Sequence, residues 1–284
     1  MKKSYFFGSL CLLLGLWVGA ANAQTVSGDS VLDDERAKQE YPRPATVTLD
    51  EILYGGVIKI AVSKDFPPFG STGSGGNLEG YDVDVANLIA KELGVKLELV
   101  PVASNDRLSL LLTKRVHLVV AGLGVSAERA KAIAFSSPYA PFFSTIAGAA
   151  NIKAKSLADL QGKKIAVTRD TLEDRELSRS APKGVEIVRF PDNQATIQAF
   201  LSGQTDVIAT GNVVAAAIAK SNPDKKIESK FVIRQSPASI GVRRGDSELL
   251  HWVNVFVYDK KLSGELDRLA QKWFGEPLPP MPAL

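Results

Sequence analysis

The chain of 284 residues has a single cysteine, Cys11, and it falls in an apolar stretch near the N-terminus. Everything after that stretch therefore needs no disulfide and offers no sulfur to a metal. Histidine is nearly as scarce. His117 heads one apolar segment and His251 lies in an apolar helical one, far apart in the chain. Both are expected to be packed rather than to ligate. With no metal-ligand spacing, no Ser/His/Asp set and no phosphate loop, neither a metal nor another cofactor is expected. A charge excess of one sign is also missing. The formal net charge is +3, and it falls to +1 without residues 1–23, whose only charges are Lys2 and Lys3. Near-neutrality argues against a nucleic-acid partner. Beyond the N-terminus no apolar run approaches membrane-spanning length.

What is present begins with an export signal. Lys2 and Lys3 form a positive head, residues 5–18 an apolar core, and Ala21-Asn-Ala23 a small-residue cleavage site before Gln24. Residues 1–23 are thus read as a signal peptide cleaved after Ala23, leaving a secreted, soluble protein. Residues 24–48 are polar, with Gly, Ser, Pro and mixed charges, and read as a flexible leader.

From Leu49 onward strand and helix patterns alternate. Residues 57–62 read as a buried strand, and 65–69 as a loop, because Pro67 and Pro68 cannot donate to a ladder. Residues 82–93 read as a helix with Val85, Leu88 and Ile89 on one face, stopped by Gly94. A strand at 97–101, a helix at 106–113 capped by Asn105 or Asp106, and a strand at 117–121 follow. The alternation restarts after Asn151: strands at 164–168, 185–190, 206–210, 230–233 and 239–243, with helices at 172–180, 194–201, 212–220, 247–258 and 264–274. Short buried strands alternating with helices imply α/β layers around parallel sheets, here two of them. In such sheets ligands sit at the carboxyl ends of the strands. That rule singles out loops 63–69, 104–107 and 122–129 in the first half, and 169–171, 192–194 and 211–212 in the second.

One of these loops has its own chemistry. In Gly122-Leu-Gly-Val-Ser-Ala-Glu-Arg129, two glycines allow close backbone approach and Ser126 can cap a short helix from Ala127. Arg129 then presents a planar charged fork beside open N–H groups, which suits a carboxylate. Taken alone, a surface arginine in a strand-to-helix loop has the same pattern.

The surrounding segments resemble the periplasmic solute-binding proteins of the polar amino-acid uptake family. Asp65-Phe-Pro-Pro-Phe69, Gly80-Tyr-Asp-Val-Asp84, Asn105-Asp-Arg107, the Gly122 to Arg129 run, Phe135-Ser-Ser-Pro-Tyr139, the 239–246 segment and Lys272-Trp-Phe-Gly275 carry the resemblance in order, over residues 49–278. The resemblance implies a two-lobe α/β fold, each lobe a mainly parallel sheet flanked by helices. Lobe 1 would take residues 49–142 and 239–284, lobe 2 residues 143–238, with crossover strands near 143–148 and 236–242. It implies a periplasmic, monomeric receptor that closes on a small solute and delivers it to the membrane permease of an ABC transporter.

The same resemblance assigns roles residue by residue. Arg129 would grip the ligand α-carboxylate, with Gly122, Leu123 and Gly124 contributing backbone. Relatives often carry Ser or Thr at the two glycines, so hydroxyl contacts would be lost. Phe66 would cover the ligand, or else be a core residue pinned by Pro67 and Pro68, whereas Phe69 is expected in the core. Arg107, poorly placed for a helix start, would face a side-chain carboxylate of an acidic amino acid, or else be solvated beside Asp106. Thr171 would complete the carboxylate site or simply cap the next helix, with Asp170 beside it. The Asp that relatives use for the ligand ammonium is replaced by Gly211, with Asn212 next. Asp170, Asn212 or backbone carbonyls are the candidate replacements, and a ligand without an amine is the alternative. His117, where relatives carry Asp, reads as structural. An enzyme on the same scaffold, such as a cyclohexadienyl dehydratase, would need a general acid in the cleft, for which Asp170 and Glu173 are the candidates. A ligand-sensing module of a separate signalling partner is a third class.

Overall fold

The computed structural model describes residues 48–282, so the expected signal peptide and all of the expected leader but Thr48 lie outside the described residues. The first helix, α1 (Thr48–Gly55), buries Leu49 and Ile52. Gly56, at φ +67°, turns the chain into β1 (Val57–Ser63). Next come β2 (Asp65–Phe66), β3 (Gly70–Thr72) and β4 (Leu78–Glu79), a small antiparallel sheet. The loop expected at 65–69 is therefore corrected. The prolines lack only their own N–H groups, so Asp65 and Phe66 still pair with Ser71 and Gly70.

α2 (Tyr81–Leu93) presents Val85 and Ile89 to the core and stops where Gly94 takes the left-handed conformation at φ 66°. β5 (Lys96–Val102), α3 (Arg107–Leu112), β6 (Leu118–Val119), α4 (Ala127–Ala130) and β7 (Ile133–Ala140) complete the first half. Neither expected cap serves α3: Asp106 stands at its N-cap position but makes no side-chain cap bond. The strand expected at 117–121 is shorter, with paired residues at Leu118 and Val119, although His117 and Val120 still donate to the Lys59 and Ala61 carbonyls of β1.

The second half repeats the plan with β8 (Phe143–Ala149), β9 (Lys164–Thr168), α5 (Leu172–Ser180), β10 (Glu186–Phe190), α6 (Asn193–Leu201), β11 (Val207–Gly211), α7 (Asn212–Ser221) and β12 (Ile227–Gln235). β13 (Ala238–Arg243), α8 (Ser247–Leu262) and α9 (Glu265–Phe274) then return to the first.

Two five-stranded sheets result, ordered β5-β1-β6-β13-β7 and β10-β9-β11-β8-β12. In each, the first three strands run parallel, as sequence alternation requires of βαβ units. The fourth strand of each sheet arrives from the other half and runs antiparallel: β13 against β6 and β7, β8 against β11 and β12. The chain crosses at Pro141 and Phe142, and again at Ser236 and Pro237, so the strands expected to cross are full members of the sheets they enter. The fold is the two-lobe α/β arrangement. Its strands β1, β6, β9 and β11 are buried at nearly every residue, as layers covered by helices on both faces must be. His117 is half-buried, and its Nδ1 accepts the Lys59 N–H at 3.0 Å. His251 is exposed on α8, contrary to the packed role expected from its apolar neighbours. It falls on the helix face opposite Leu249, Val253 and Phe256.

Candidate functional site

A small cavity, with a free volume of about 20 Å³, lies where the carboxyl ends of β1, β5 and β6 face those of β9, β10 and β11. That is room for about one water molecule, so the lobes are drawn together here and a ligand needs them to part. Phe66, Arg107, Gly122, Gly124 and Arg129 line it from the first lobe, and Thr171, Glu173, Asn193 and Thr210 from the second.

The Gly122 loop is built by local rules. Gly122 has φ +54°, and a Cβ there would press on the Phe66 ring at 3.3 Å. Its N–H donates to the Tyr139 hydroxyl at 3.2 Å, and that hydroxyl donates to the buried Asp82 carboxylate. Ser126 accepts the Arg129 N–H at 3.2 Å and so caps α4, which fixes where the Arg129 side chain starts. Arg129 is 4% exposed. Its Nη1 donates to the Gly124 carbonyl at 2.9 Å and Nη2 reaches the Asp170 carbonyl at a weak 3.5 Å. Its Nε has no partner among the described residues, and no carboxylate there forms an ion pair with it. Burial, and then the neighbouring Arg107, pull this guanidinium down to about 9. An arginine stays charged at neutral pH, so the lowering expresses a buried cation with no anion in direct contact, the Glu173 charge opposing it only in part.

Arg107 is equally buried but differently employed. Nε donates to the Ser104 carbonyl at 2.9 Å, and Nη1 to Ala121 at 2.6 Å and Gly122 at 3.4 Å. It ties three carbonyls at the ends of two strands, and burial lowers its pKa.

The second lobe contributes helix starts. The Thr171 hydroxyl accepts the Asp174 N–H at 3.2 Å and donates to the Thr168 carbonyl at 2.8 Å, so it caps α5 and is fully committed. Asn193 opens α6, which Asp192 caps. It reaches across the cleft: its N–H and Nδ2 donate to Asp65 at 2.9 and 3.3 Å, and Nδ2 to the Ser104 hydroxyl at 2.9 Å.

Six of the residues singled out from sequence thus meet at the cavity: Phe66, Arg107, Gly122, Gly124, Arg129 and Thr171. Phe69 is in the core, as expected, stacked on Phe66 at 5.8 Å. Four others do not line it. Leu123 points into the core with Ile133 and Val119, and only its carbonyl acts, accepting the Ser239 N–H at 3.0 Å. Asp170 is exposed at φ 63°, with its N–H on the Asp174 carboxylate. Asn212 is spent on the Phe143 N–H at 3.0 Å. Gly211 is buried beneath the Phe142 ring, which occupies the space any side chain at 211 would need. Sequence reasoning did not assign ligand contacts to Ser104, Phe142, Thr168, Leu172, Asn193, Ala209 or Thr210, and it weighed Glu173 only as an acid. Ser104 and Asn193 fall within loops that the strand-end rule names. Phe142 has no local signal at all. Among the described residues no group of three or more His, Cys, Asp or Glu is placed to hold a metal.

Residues 58–276 match the model of the bacterial extracellular solute-binding proteins, family 3. The chain is similar to the L-cystine-binding protein TcyJ of Escherichia coli (strain K12), with 29% identity over 234 residues, covering 80% of this chain and 86% of that protein. It is similar to the arginine-binding extracellular protein ArtP of Bacillus subtilis (strain 168), with 30% identity over 223 residues, 76% of this chain and 85% of that one. Among solved structures it resembles the ancestral amino acid-binding protein AncCDT-1, described as a precursor of cyclohexadienyl dehydratase. The TM-score is 0.74 at 34% identity, covering 80% of this chain and 99% of that one.

Proposed function

Since the chain belongs to the bacterial extracellular solute-binding proteins of family 3, we propose that it is a monomeric periplasmic receptor for a small carboxylate, a polar or acidic amino acid, which it hands to the permease of an ABC transporter. The observation that carries this reading is Arg129, a buried guanidinium on the cavity wall with an unpartnered Nε and no direct ion pair among the described residues. A ligand carboxylate supplies the missing charge and accepts from the fork. The start of α5 faces the same cavity through Thr171, Leu172 and Glu173, adding the N-terminal end of a nine-residue helix. Phe66 closes one wall. Arg107 adds a second positive charge, which favours acidic side chains. The relatives named for cystine and arginine support the amino-acid class and leave the side chain open. Binding between lobes joined by two short crossings works by hinge closure, and the closed form is what a permease recognises.

A thermal-shift screen of the purified protein against L-amino acids tests this. At about a hundredfold over its dissociation constant, a ligand adds roughly 2.7 kcal/mol of stability. Glutamate, aspartate or another small carboxylate is expected to give the largest shift, and Arg129→Ala to abolish it. A response to sugars or cations alone would overturn the proposal. One observation favours a second reading: of the two candidates for a dehydratase's general acid, Glu173 lines the cavity and Asp170 does not. Turnover of prephenate or arogenate, lost in Glu173→Gln, would establish it over the receptor.

A further inference from the structure

α5 begins with two adjacent acids, and they do different things. Asp174 behaves as helix-start acids usually do. It accepts the Asp170 N–H at 3.0 Å, and its other oxygen pairs with Arg189 Nε at 2.7 Å. Glu173 turns the other way. Its side chain is buried on the cavity wall, where it is the sole carboxylate. Its one hydrogen bond is from the Ser144 hydroxyl, at 2.7 Å, and it forms no ion pair among the described residues. Arg107 and Arg129 feel its charge but make no ion pair with it, so a cation in direct contact is still missing.

Ser144 locates this acid. In the ladder between β8 and β11 it is the direct partner of Gly211, the position from which relatives are expected to reach the ligand ammonium. Phe142, two residues earlier, fills the space above Gly211. The chain therefore excludes an acid at 211 and brings one to the same strand pair from the start of α5. Asn212 accepts the Phe143 N–H, and Asp170 is exposed and does not line the cavity.

We propose that Glu173 is the ammonium-binding residue of the cleft, and hence that the ligand is an amine-bearing carboxylate and not an amine-free organic acid. This rests on the receptor reading of the cavity. Arg129 takes the α-carboxylate and Glu173, with Ser144 orienting it, takes the α-ammonium. Arg107 remains for a second acidic group. The three side-chain charges, two positive and one negative, are the complement of an acidic amino acid.

Calorimetric titration with matched probes tests it: L-glutamate against glutarate, and L-glutamine against glutaramate. The wild type is expected to prefer the amine-bearing member of at least one pair by about a hundredfold, the worth of a charge-assisted contact. Glu173→Gln is expected to bring that ratio to within about fivefold. Ser144→Ala, which keeps the charge and removes its only hydrogen bond, is expected to lower the ratio by about tenfold and serves if Glu173→Gln does not fold. A preference that survives both substitutions overturns the assignment. So does a wild type that binds both members of each pair equally, although the receptor reading then stands. A wild type that binds no carboxylate removes the receptor reading itself.

Discussion

The two halves of the cleft hold their polar groups in opposite ways. On the first lobe, the working side chains are arginines anchored to main-chain carbonyls. Arg107 ties Ser104, Ala121 and Gly122, and Arg129 ties Gly124. Behind them a buried chain runs from Gly122 through Tyr139 to Asp82. On the second lobe, the groups stand at helix starts capped by Thr171 and Asp192. The first lobe supplies cation in a rigid frame assembled from distant segments. The second supplies an acid, an amide and helix N-termini set by local capping. On the proposed receptor reading, a carboxylate bound to the first lobe alone would meet half of its partners, and closure would complete recognition.

The sharpest way to break this division is to return an acid to position 211. Gly211→Asp would drive a side chain into the Phe142 ring and bury a second carboxylate near Glu173. Overpacking and an unpaired buried charge together should destabilise the protein by about 3 kcal/mol or more, read as a fall in urea midpoint. Adding Phe142→Ala should recover part of that, so that the two changes are measurably non-additive. Neutrality of Gly211→Asp alone would mean that the ring does not guard the position.

That contrast also explains what could be read from the amino-acid order. Most strands and helices of both lobes were legible from alternation, and the strand-end rule named the loops that do line the cavity. Local signals succeeded where local chemistry decides: Ser126 caps α4, Thr171 caps α5, and Gly94 ends α2. The misses depend on partners far away in sequence. Phe142 seals Gly211 across an interlobe crossing, and Glu173 turns inward because Ser144 waits there. Asp65 and Phe66 form a strand only because Gly70 and Ser71 fold back onto them. Leu123 was expected to contribute only backbone, and its side chain goes into the core with Ile133 and Val119.

Asn193 is where the two modes meet, since it belongs to a helix start in the second lobe and binds Asp65 and Ser104 in the first. Asn193→Ala removes the side-chain bonds across the cleft and keeps the N–H on Asp65. Dissociation of bound amino acid should accelerate by about tenfold with little change in association, as loss of a buried polar contact predicts. Stopped-flow release kinetics would show it. Unchanged release would confine Asn193 to organising its own lobe, where it accepts the Thr168 hydroxyl at 2.9 Å.

The smallest effect probes the frame behind the arginines. Burial raises the Asp82 carboxyl to about 7, against the opposing pull of the Tyr139 hydrogen bond, the Gly122 N–H and the Arg107 charge. The folded state therefore holds a proton that the unfolded chain has released above its ordinary value near 4. Stability from this group is complete at acid pH and is lost as pH rises toward 7, where the folded carboxyl ionises. Between about pH 5.5 and 6.5 the wild type should lose about 1 kcal/mol more than Asp82→Asn does, because the amide cannot titrate. Parallel urea melts of the two proteins check this, and the difference cancels contributions from every other group. Identical slopes would show that Asp82 is ionised across the range. The first lobe's frame would then be a charged network reaching from Asp82 to Arg107, and its stiffness would no longer depend on a shared proton.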